Sequence, residues 1–408
     1  MKKIKKYFSL LLVIMTVTVL FAGCGKKDGA ASGSDGEGFE KIKVAYATNA
    51  VDETFVTMKT AYETVVGPTL NIEFMFSEAL SDAGAMTTFI ENAYAAGCQG
   101  VIVDLANSMD QAAAVCNDLG MWYVGIGSAD SKENMEMEKY VGVTGAGAAG
   151  YGASYAEAIK SVVNDGKQHS VLLMSGAACY GATSFIEGTA GSLKALQDVY
   201  GLKYTKDINE LATTKTQIDA ENDKGIKITI FPGMQDLATT VSPLLQTGNY
   251  DVLVGTSNIY DSLGVAVDEV EKSLKMDIKF ITRSTFSNAI SAAINSKDSQ
   301  GSPVIDALVC PGTFERVAAP IMIRNAFDGF ADKMRGDGRC SYVAKNAPLA
   351  VTSVEQYNSL AKEGNPYAFM TADDILSLTN KKNADVTWET IDKFGEELTT
   401  ENILKKFK

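Results

Sequence analysis

The side chains that most often catalyse reactions are sparse in this sequence. The single histidine, His169, stands between polar residues ahead of the apolar run SVLLM, and no second histidine exists to share a metal ion. No plausible nucleophile lies near it in sequence, so zinc chemistry and a Ser-His-Asp triad are both poorly supported. We predict a surface histidine, no metal site and no cofactor.

The cysteines do not have the spacing of a disulfide framework. Five follow residue 24, without a CxxC pair: Cys98, Cys116, Cys179, Cys310 and Cys340. This pattern predicts buried, inert thiols. Cys98 and Cys116 flank one predicted strand, so a disulfide between them stays an alternative that depends on geometry.

Two acidic residues, Asp52 and Asp104, stand at the ends of predicted strands. Paired carboxylates are the usual machinery of glycoside hydrolysis, so a secreted hydrolase is one alternative for this chain. No other pair of acids stands out at the strand ends. We predict no catalytic residue.

Residues 145–150 read GAGAAG and fit the pattern G-x-G-x-x-G between a strand and a helix. A dinucleotide-binding turn also needs an acidic residue at the end of the next strand, but that strand ends in Ser175 and Gly176. We therefore interpret the small residues as a place where a helix packs closely on its sheet or the chain crosses between lobes.

Short apolar runs alternate with helical stretches from residue 41 onward. The predicted strands are 41–48, 71–76, 101–105, 122–127, 140–144, 171–175, 228–232, 252–257, 279–284 and 307–311. The predicted helices are 53–66, 83–96, 108–119, 148–164, 183–199, 235–247 and 261–273. Continuous apolar strands separated by helices are typical of buried parallel sheets. So many strands favour an α/β fold with two doubly wound lobes over one open sheet.

The first 24 residues have the layout of a secretory signal peptide. Four lysines precede a run without charge from Tyr7 to Gly23, and Ala22-Gly23-Cys24 resembles the bacterial lipobox, although Phe21 stands where leucine is usual. We predict that residues 1–23 are removed and that Cys24 is lipidated and anchors the protein outside the cytoplasm. An ordinary cleaved signal and an uncleaved membrane anchor are the alternatives.

The segment 24–38 is predicted to be a flexible tether, because it holds five glycines and no large apolar residue. Residues 1–23 contain four lysines and no acid, so 33 basic and 50 acidic side chains remain without them, a net charge of −17. This net negative charge argues against nucleic acid as a partner, because proteins bind nucleic acids through clusters of Lys and Arg. About 370 residues remain, which suggests two domains.

Several stretches, in a fixed order, resemble the type I periplasmic substrate-binding proteins of ABC transporters, in particular the ribose- and galactose-binding branch. They are AAGCQGVIVDLANSMDQAAAVCNDLGMWYVGIGS (95–128), EGTAGSL (187–193), YDVLVGTSNIYDSLGVAVDEV (250–270), IKFITRSTFSNAISAAI (278–294) and DALVCPGTFERVAAPIMIRNAFDGF (306–330). The resemblance covers residues 41 to about 355.

The resemblance implies two Rossmann-like lobes joined by a three-strand hinge, with a ligand held between them. The N-terminal lobe would comprise 41–144 and 312–340, and the C-terminal lobe 145–311 and 341–355, with crossings near 144–146, 311–313 and 340–342. It further implies a monomer that is not an enzyme and that delivers a small molecule, a sugar or sugar-like ligand, to an ABC permease. A nucleoside-binding protein and a ligand sensor of the same fold are alternatives.

The resemblance also assigns ligand contacts to loops after the strands. They are Asp52, Phe55, Asp104, Asn107, Ser128, Thr183, Asn258, Arg283 and Ser284. Asn107 and Ser284 replace two of the family's usual acids, and Ser128 and Thr183 stand where arginines commonly grip a sugar. These replacements predict a less charged pocket, suited to a less hydroxylated or more apolar ligand. Four aromatic residues could stack on it: Phe55, Tyr180, Tyr260 and Phe314.

Residues 356–408 extend beyond the point where most such proteins stop. Helical spacing is plausible at 371–379 and 389–398, and Trp388, Phe394 and Leu398 could pack against a lobe. We predict a packed extension, with a partner-binding tail as the alternative.

Overall fold

In a computed structural model of the chain, the apolar runs form two β-sheets. The structure describes residues 38–104, 109–127, 131–145, 150–335, 347–362 and 369–406. All of them fall in the unit Asp35–Lys408, whereas the unit Met1–Ser34 lies outside them. The predicted signal peptide, Cys24 and the predicted crossing at 340–342 therefore lie outside the described residues.

The strands follow the continuous apolar runs closely. They are β1 Ile42–Thr48, β2 Ile72–Ala79, β3 Gly100–Asp104, β4 Trp122–Ile126, β5 Tyr140–Thr144, β6 Val171–Met174, β7 Ile218–Asp219, β8 Ile228–Phe231, β9 Val252–Gly255, β10 Lys279–Arg283, β11 Ala307–Cys310 and β12 Leu349–Val351. Every residue of β5, β6, β9 and β11 is buried. Burial on both faces explains why these runs carry no polar alternation.

The helices lie between the strands and after the last of them. They are α1 Glu53–Ala61, α2 Gly67–Leu70, α3 Ala83–Ala95, α4 Met109–Asp118, α5 Lys132–Met135, α6 Tyr151–Val163, α7 Ala177–Tyr180, α8 Thr183–Tyr200, α9 Ile208–Ala212, α10 Leu237–Thr240, α11 Ser242–Gln246, α12 Tyr260–Leu274, α13 Asn288–Ile294, α14 Phe314–Asn325, α15 Ala331–Met334, α16 Val354–Lys362, α17 Ala372–Ser377, α18 Trp388–Glu396 and α19 Thr400–Lys406. Two π-helical turns, Tyr62–Val66 and Ala326–Phe330, lie between α1 and α2 and between α14 and α15.

The first sheet has the order β2-β1-β3-β4-β5, and all its neighbouring strands are parallel. The register pairs Thr48 with Asp104, so the carboxyl ends of β1 and β3 lie side by side. The second sheet has the order β12-β11-β10-β9-β6-β8-β7. Its inner strands are parallel, and the edge strands β12 and β7 are antiparallel to their neighbours.

The chain crosses between the sheets after β5 and again after β11. Helix α6, which follows β5, packs on β11 and β12 of the second sheet. Helix α14, which follows β11, returns to pack on β3, β4 and β5 of the first sheet. Gly150 caps the start of α6 with a φ of +97°, a conformation that glycine adopts readily.

Residues 369–406 pack on the rest of the body. Val386, Ile391, Leu398 and Ile403 are buried in the same hydrophobic cluster as the strands of the first sheet. The ring of Phe394 lies 5.5 Å from that of Phe314 in α14. Within the part of the chain that the structure describes, no helix combines the length and the apolar character that a bilayer span requires.

Some sequence predictions were wrong. The helix predicted at 235–247 is two short helices, because Pro243 lies at the start of α11 and lacks the amide that a continuous helix would use. His169 is not on the surface: it is 5% exposed. Its ring nitrogens lie 2.9 Å from an oxygen of Asp251 and 3.0 Å from one of Asp165, and these contacts allow the imidazole to be buried.

The cysteine prediction holds in part. Cys98, Cys116 and Cys310 are buried and free, so the alternative of a Cys98–Cys116 disulfide is wrong. Burial raises the pKa of Cys98 to about 11 and also raises the pKa of Cys116, which keeps both thiols protonated. Cys179, in contrast, is exposed.

Candidate ligand-binding site

A cavity of about 150 Å³ opens at the carboxyl ends of β1 and β3. This is the edge at which ligands bind in open parallel sheets. Its lining comes from β1, the loop before α1, the first turns of α1, the end of β3 and the start of α14: Tyr46, Thr48, Asn49, Ala50, Asp52, Thr54, Phe55, Met58, Asp104 and Arg316.

Asp104 is the polar centre of this cavity. The hydroxyl of Tyr46 donates to Oδ2 of Asp104 at 2.6 Å, and Nε of Arg316 donates to the same oxygen at 2.9 Å. None of the described residues donates to Oδ1. A carboxylate held by two donors, with an oxygen left over, is a well-oriented acceptor for the hydroxyl groups of a ligand.

Arg316 is itself held by Glu315. Nη1 of Arg316 donates to Oε1 of Glu315 at 2.8 Å, and the Glu315 side chain is almost fully buried. Burial raises the pKa of Glu315 to about 7, although the Arg316 guanidinium acts to lower it. The Tyr62 hydroxyl donates to the Arg316 backbone carbonyl, and the Thr144 hydroxyl donates to that of Glu315. These bonds fix the start of α14 on the first sheet.

Aromatic rings form the apolar wall beside Asp104. Phe55 is half-buried, and its ring centre lies 6.3 Å from that of Tyr46 and 5.8 Å from that of Phe76. Asp52 caps the helix that carries Phe55, since its Oδ1 accepts the Phe55 amide at 2.9 Å. Part of the Phe55 ring is therefore accessible to a ligand, whereas the rings of Tyr46 and Phe76 are used for packing.

A second polar group lies at the carboxyl edge of the second sheet. Arg283 ends β10, and its Nη2 donates to the Tyr151 hydroxyl at 2.7 Å. Just beyond β10, Oγ1 of Thr285 lies 3.3 Å from Oγ1 of Thr54 in α1. The carboxyl edges of the two sheets thus come into contact next to the cavity.

The structure brings together some of the predicted site residues. Asp52, Phe55 and Asp104 line the cavity, and Arg283 and half-buried Ser284 lie at the other edge. Thr183 is exposed as the first residue of α8. Asn258 is exposed too, and its side chain forms hydrogen bonds with the Asp261 carboxylate and the Tyr260 backbone amide. Asn107 and Ser128 lie outside the described residues.

Among the lining residues that the sequence analysis missed, Tyr46 and Arg316 are the two that donate hydrogen bonds to Asp104. Tyr46 lies inside an apolar strand, where the sequence pattern indicates a core residue. Arg316 lies in a helix about 210 residues away from Asp104 in the sequence. A signal for Arg316 existed, because PGTFER (311–316) directly follows the end of β11 at Cys310. With Arg316 ion-paired to Asp104, the pocket is more charged than the sequence predicted.

The predicted stacking aromatics have different surroundings. Phe314 is buried against Phe394, and Tyr260 packs edge-on against Phe280. Phe314 therefore belongs to the core and half-buried Tyr260 packs against it, whereas Tyr180 is 56% exposed. Among the described residues, Glu271, Asp277 and Asp298 have carboxylates close enough to share a cation. They lie at the amino end of β10, the opposite edge from the cavity.

Solved structures with a similar fold include solute-binding proteins of ABC transporters. One, from Actinobacillus succinogenes with bound D-allose, is 14% identical with a TM-score of 0.50, over 78% of this chain and 99% of that one. Another, from Bacillus halodurans with bound myo-inositol, is 14% identical with a TM-score of 0.48, over 80% and 99%. A third, from Agrobacterium vitis with bound allitol, is 13% identical with a TM-score of 0.49, over 79% and 99%.

No protein-family model matches the sequence. A comparison with curated proteins finds no similar sequence either. The likeness to the Actinobacillus structure confirms the predicted fold: this chain has the two-lobed α/β architecture of type I periplasmic binding proteins.

Proposed function

We propose that this chain is an extracytoplasmic solute-binding protein that captures a small carbohydrate or a similar polyhydroxylated molecule. The observation that carries the proposal is the Asp104 carboxylate, which Tyr46 and Arg316 hold at the edge of a cavity. An oriented carboxylate beside an aromatic ring suits a molecule with hydroxyls on one side and C–H groups on the other. The D-allose named for the Actinobacillus structure supports the same class of ligand.

The ligand contacts come from both sheets in this proposal. On the first sheet, the contacts are made by Asp52, Phe55 and Asp104, with Asn107 and Ser128 as predicted additions. On the second sheet, they are made by Thr183, Asn258, Arg283 and Ser284. Closure of the two edges around the molecule would bury it, a hinge motion common to binding proteins.

The protein acts, in the proposed role, as a monomer without catalytic activity that passes its ligand to an ABC permease. Cys24 carries a lipid that holds the body at the outer face of the cell membrane. Expression of the Cys24→Ala variant should therefore move the protein from the membrane fraction to the soluble fraction. Cys179→Ala, which alters an exposed cysteine of the body, is the matched control and should leave the protein in the membrane.

A thermal-shift screen of the purified body, residues 35–408, tests the ligand class. The panel contains aldoses, polyols, nucleosides and amino acids. A ligand that binds only the folded state raises the midpoint of unfolding, by several degrees when its concentration far exceeds its Kd. We expect such shifts from carbohydrates or polyols. Shifts from nucleosides or amino acids alone, or turnover of a shifting compound, would refute the proposal.

A further inference from the structure

Arg283 sits in a cage of uncharged groups. The carbon of its guanidinium group lies 4.2 Å from the ring centre of Tyr151 and 5.1 Å from that of Phe185. Nη2 donates to the Tyr151 hydroxyl at 2.7 Å, and Nη1 donates to Oγ of Ser184 at 3.3 Å. All these contacts are with neutral partners that leave the positive charge in place.

The other described arginines are each paired with an acid. Arg316 contacts Asp104 and Glu315, Arg324 contacts Asp328, and Arg335 contacts Asp332. Among the described residues, no carboxylate forms an ion pair with Arg283. The Tyr151 hydroxyl cannot supply a negative charge to balance that of Arg283. Burial raises the pKa of Tyr151 to about 12, which keeps the hydroxyl protonated.

A half-buried guanidinium without a counter-ion is a costly arrangement. Two ring faces offset part of the cost through cation–π attraction, and an anion would offset more. Guanidinium groups also match the geometry of carboxylates and phosphates better than that of neutral hydroxyls. Arg283 lies at the carboxyl edge of its sheet. Ligands bind at this edge in open parallel sheets, so a ligand could supply such an anion.

We propose that the captured carbohydrate is an acidic one, whose carboxylate or phosphate group pairs with Arg283 while its hydroxyl groups meet Asp104. The inference rests on the proposed function and specifies its substrate class. Tyr180 supports it: this exposed ring lies 5.0 Å from the ring of Phe185 and extends the aromatic surface outward from Arg283. The ligand would therefore lie with its acidic end at the second sheet.

Matched ligand pairs test this inference in the wild-type protein without any substitution. Titration calorimetry compares D-glucose with D-glucuronate and with D-glucose phosphorylated at its primary hydroxyl, and D-galactose with D-galacturonate. We expect at least one acidic member to bind about tenfold more tightly than its neutral partner, as one charge-assisted contact allows. The uronates and the phosphate ester distinguish the two anionic groups.

Variants then assign the effect to Arg283. In Arg283→Gln the acidic ligand should bind no better than its neutral partner, and Arg283→Lys should recover part of the preference. Lys194→Gln, on the exposed face of α8, is the matched control and should change nothing. Neutral members that bind as tightly as acidic ones would overturn the inference and leave the proposed function standing. If no carbohydrate, neutral or acidic, binds at all, the proposed function fails and the inference fails with it.

Discussion

At the scale of single residues, the Asp104 carboxylate is oriented by two donors, the Tyr46 hydroxyl and Nε of Arg316, which both bond its Oδ2. The residue itself was predicted from the family resemblance, which assigns a ligand contact to the end of this apolar strand, at the edge where parallel sheets bind ligands. Tyr46 was missed because its ring packs in the core while only its hydroxyl faces Asp104. Arg316 was missed because its position depends on how the chain returns to the first sheet after β11.

Tyr46→Phe isolates one of these donors. The variant keeps the ring that packs on Tyr62 and Phe76 but removes the hydrogen bond to Asp104. We expect carbohydrate affinity to fall about fivefold to tenfold, as for the loss of one typical hydrogen bond of about 1 kcal/mol. The measurement is the Kd by titration calorimetry.

The control for this change is Tyr204→Phe, which removes a partly buried hydroxyl that donates to the Leu193 carbonyl at 2.9 Å, away from the cavity. Its Kd should match that of the wild type. An unchanged Kd in Tyr46→Phe would show that the Tyr46–Asp104 bond plays no part in binding.

At the scale of elements, the apolar runs predicted the parallel strands to within a few residues, because burial on both faces leaves an unbroken hydrophobic pattern. Short or edge elements were harder. Strand β7 has two residues and pairs only at the sheet edge, so it carries no periodic signal. The helix predicted at 235–247 contains Pro243, and the structure has two short helices there.

Helices α6 and α8 of the second lobe approach each other so closely that only glycine fits at their contact. A Cβ added at Gly191 in α8 would lie 2.1 Å from the Gly152 carbonyl oxygen in α6. Gly191→Ala must therefore push the helices apart, and we expect it to lower the free energy of unfolding by about 1–3 kcal/mol or more. Urea denaturation measures the change.

Lys194→Ala lies on the exposed face of the same helix and serves as the control for this prediction. It should change the free energy of unfolding by less than about 0.5 kcal/mol. Equal effects of the two alanine substitutions would contradict the close packing of α6 on α8.

At the scale of the whole molecule, the buried acids Glu271 and Glu315 and the half-buried Asp306 make stability depend on pH. Burial raises the pKa of Glu271 and Glu315 from 4.5 to about 7, and that of Asp306 from 3.8 to about 6. The folded state keeps these protons at pH values at which the unfolded state has released them. The free energy of unfolding should therefore fall as the pH rises from about 5 to about 7, and then level off.

Glu271→Gln tests this dependence away from the cavity. Asp268, Asp277 and Asp298 surround Glu271 and disfavour its charge, while glutamine can still accept the Ile278 amide. The variant should show a shallower fall between about pH 5 and pH 7 in urea denaturation. Glu91→Gln, at an exposed position, should keep the wild-type slope, and a wild-type slope in Glu271→Gln as well would contradict the prediction.

The fold of the whole molecule was predictable because its pattern repeats many times along the chain, whereas its ligand depends on a few side chains brought together from distant segments. The predicted residues Asp52, Phe55 and Asp104 do meet at one cavity. The charge of that cavity was predicted incorrectly, because Arg316 enters it from α14.

The central claim is that Asp104 binds a carbohydrate, and titration calorimetry of the Asp104→Asn variant tests it most directly. The titrant is the carbohydrate that stabilises the wild type most, and Asp373→Asn, at an exposed site in α17, is the matched control. We predict one ligand per chain for the wild type and the control, and a loss of affinity of about tenfold or more for Asp104→Asn. Equal affinities for all three proteins would contradict the claim.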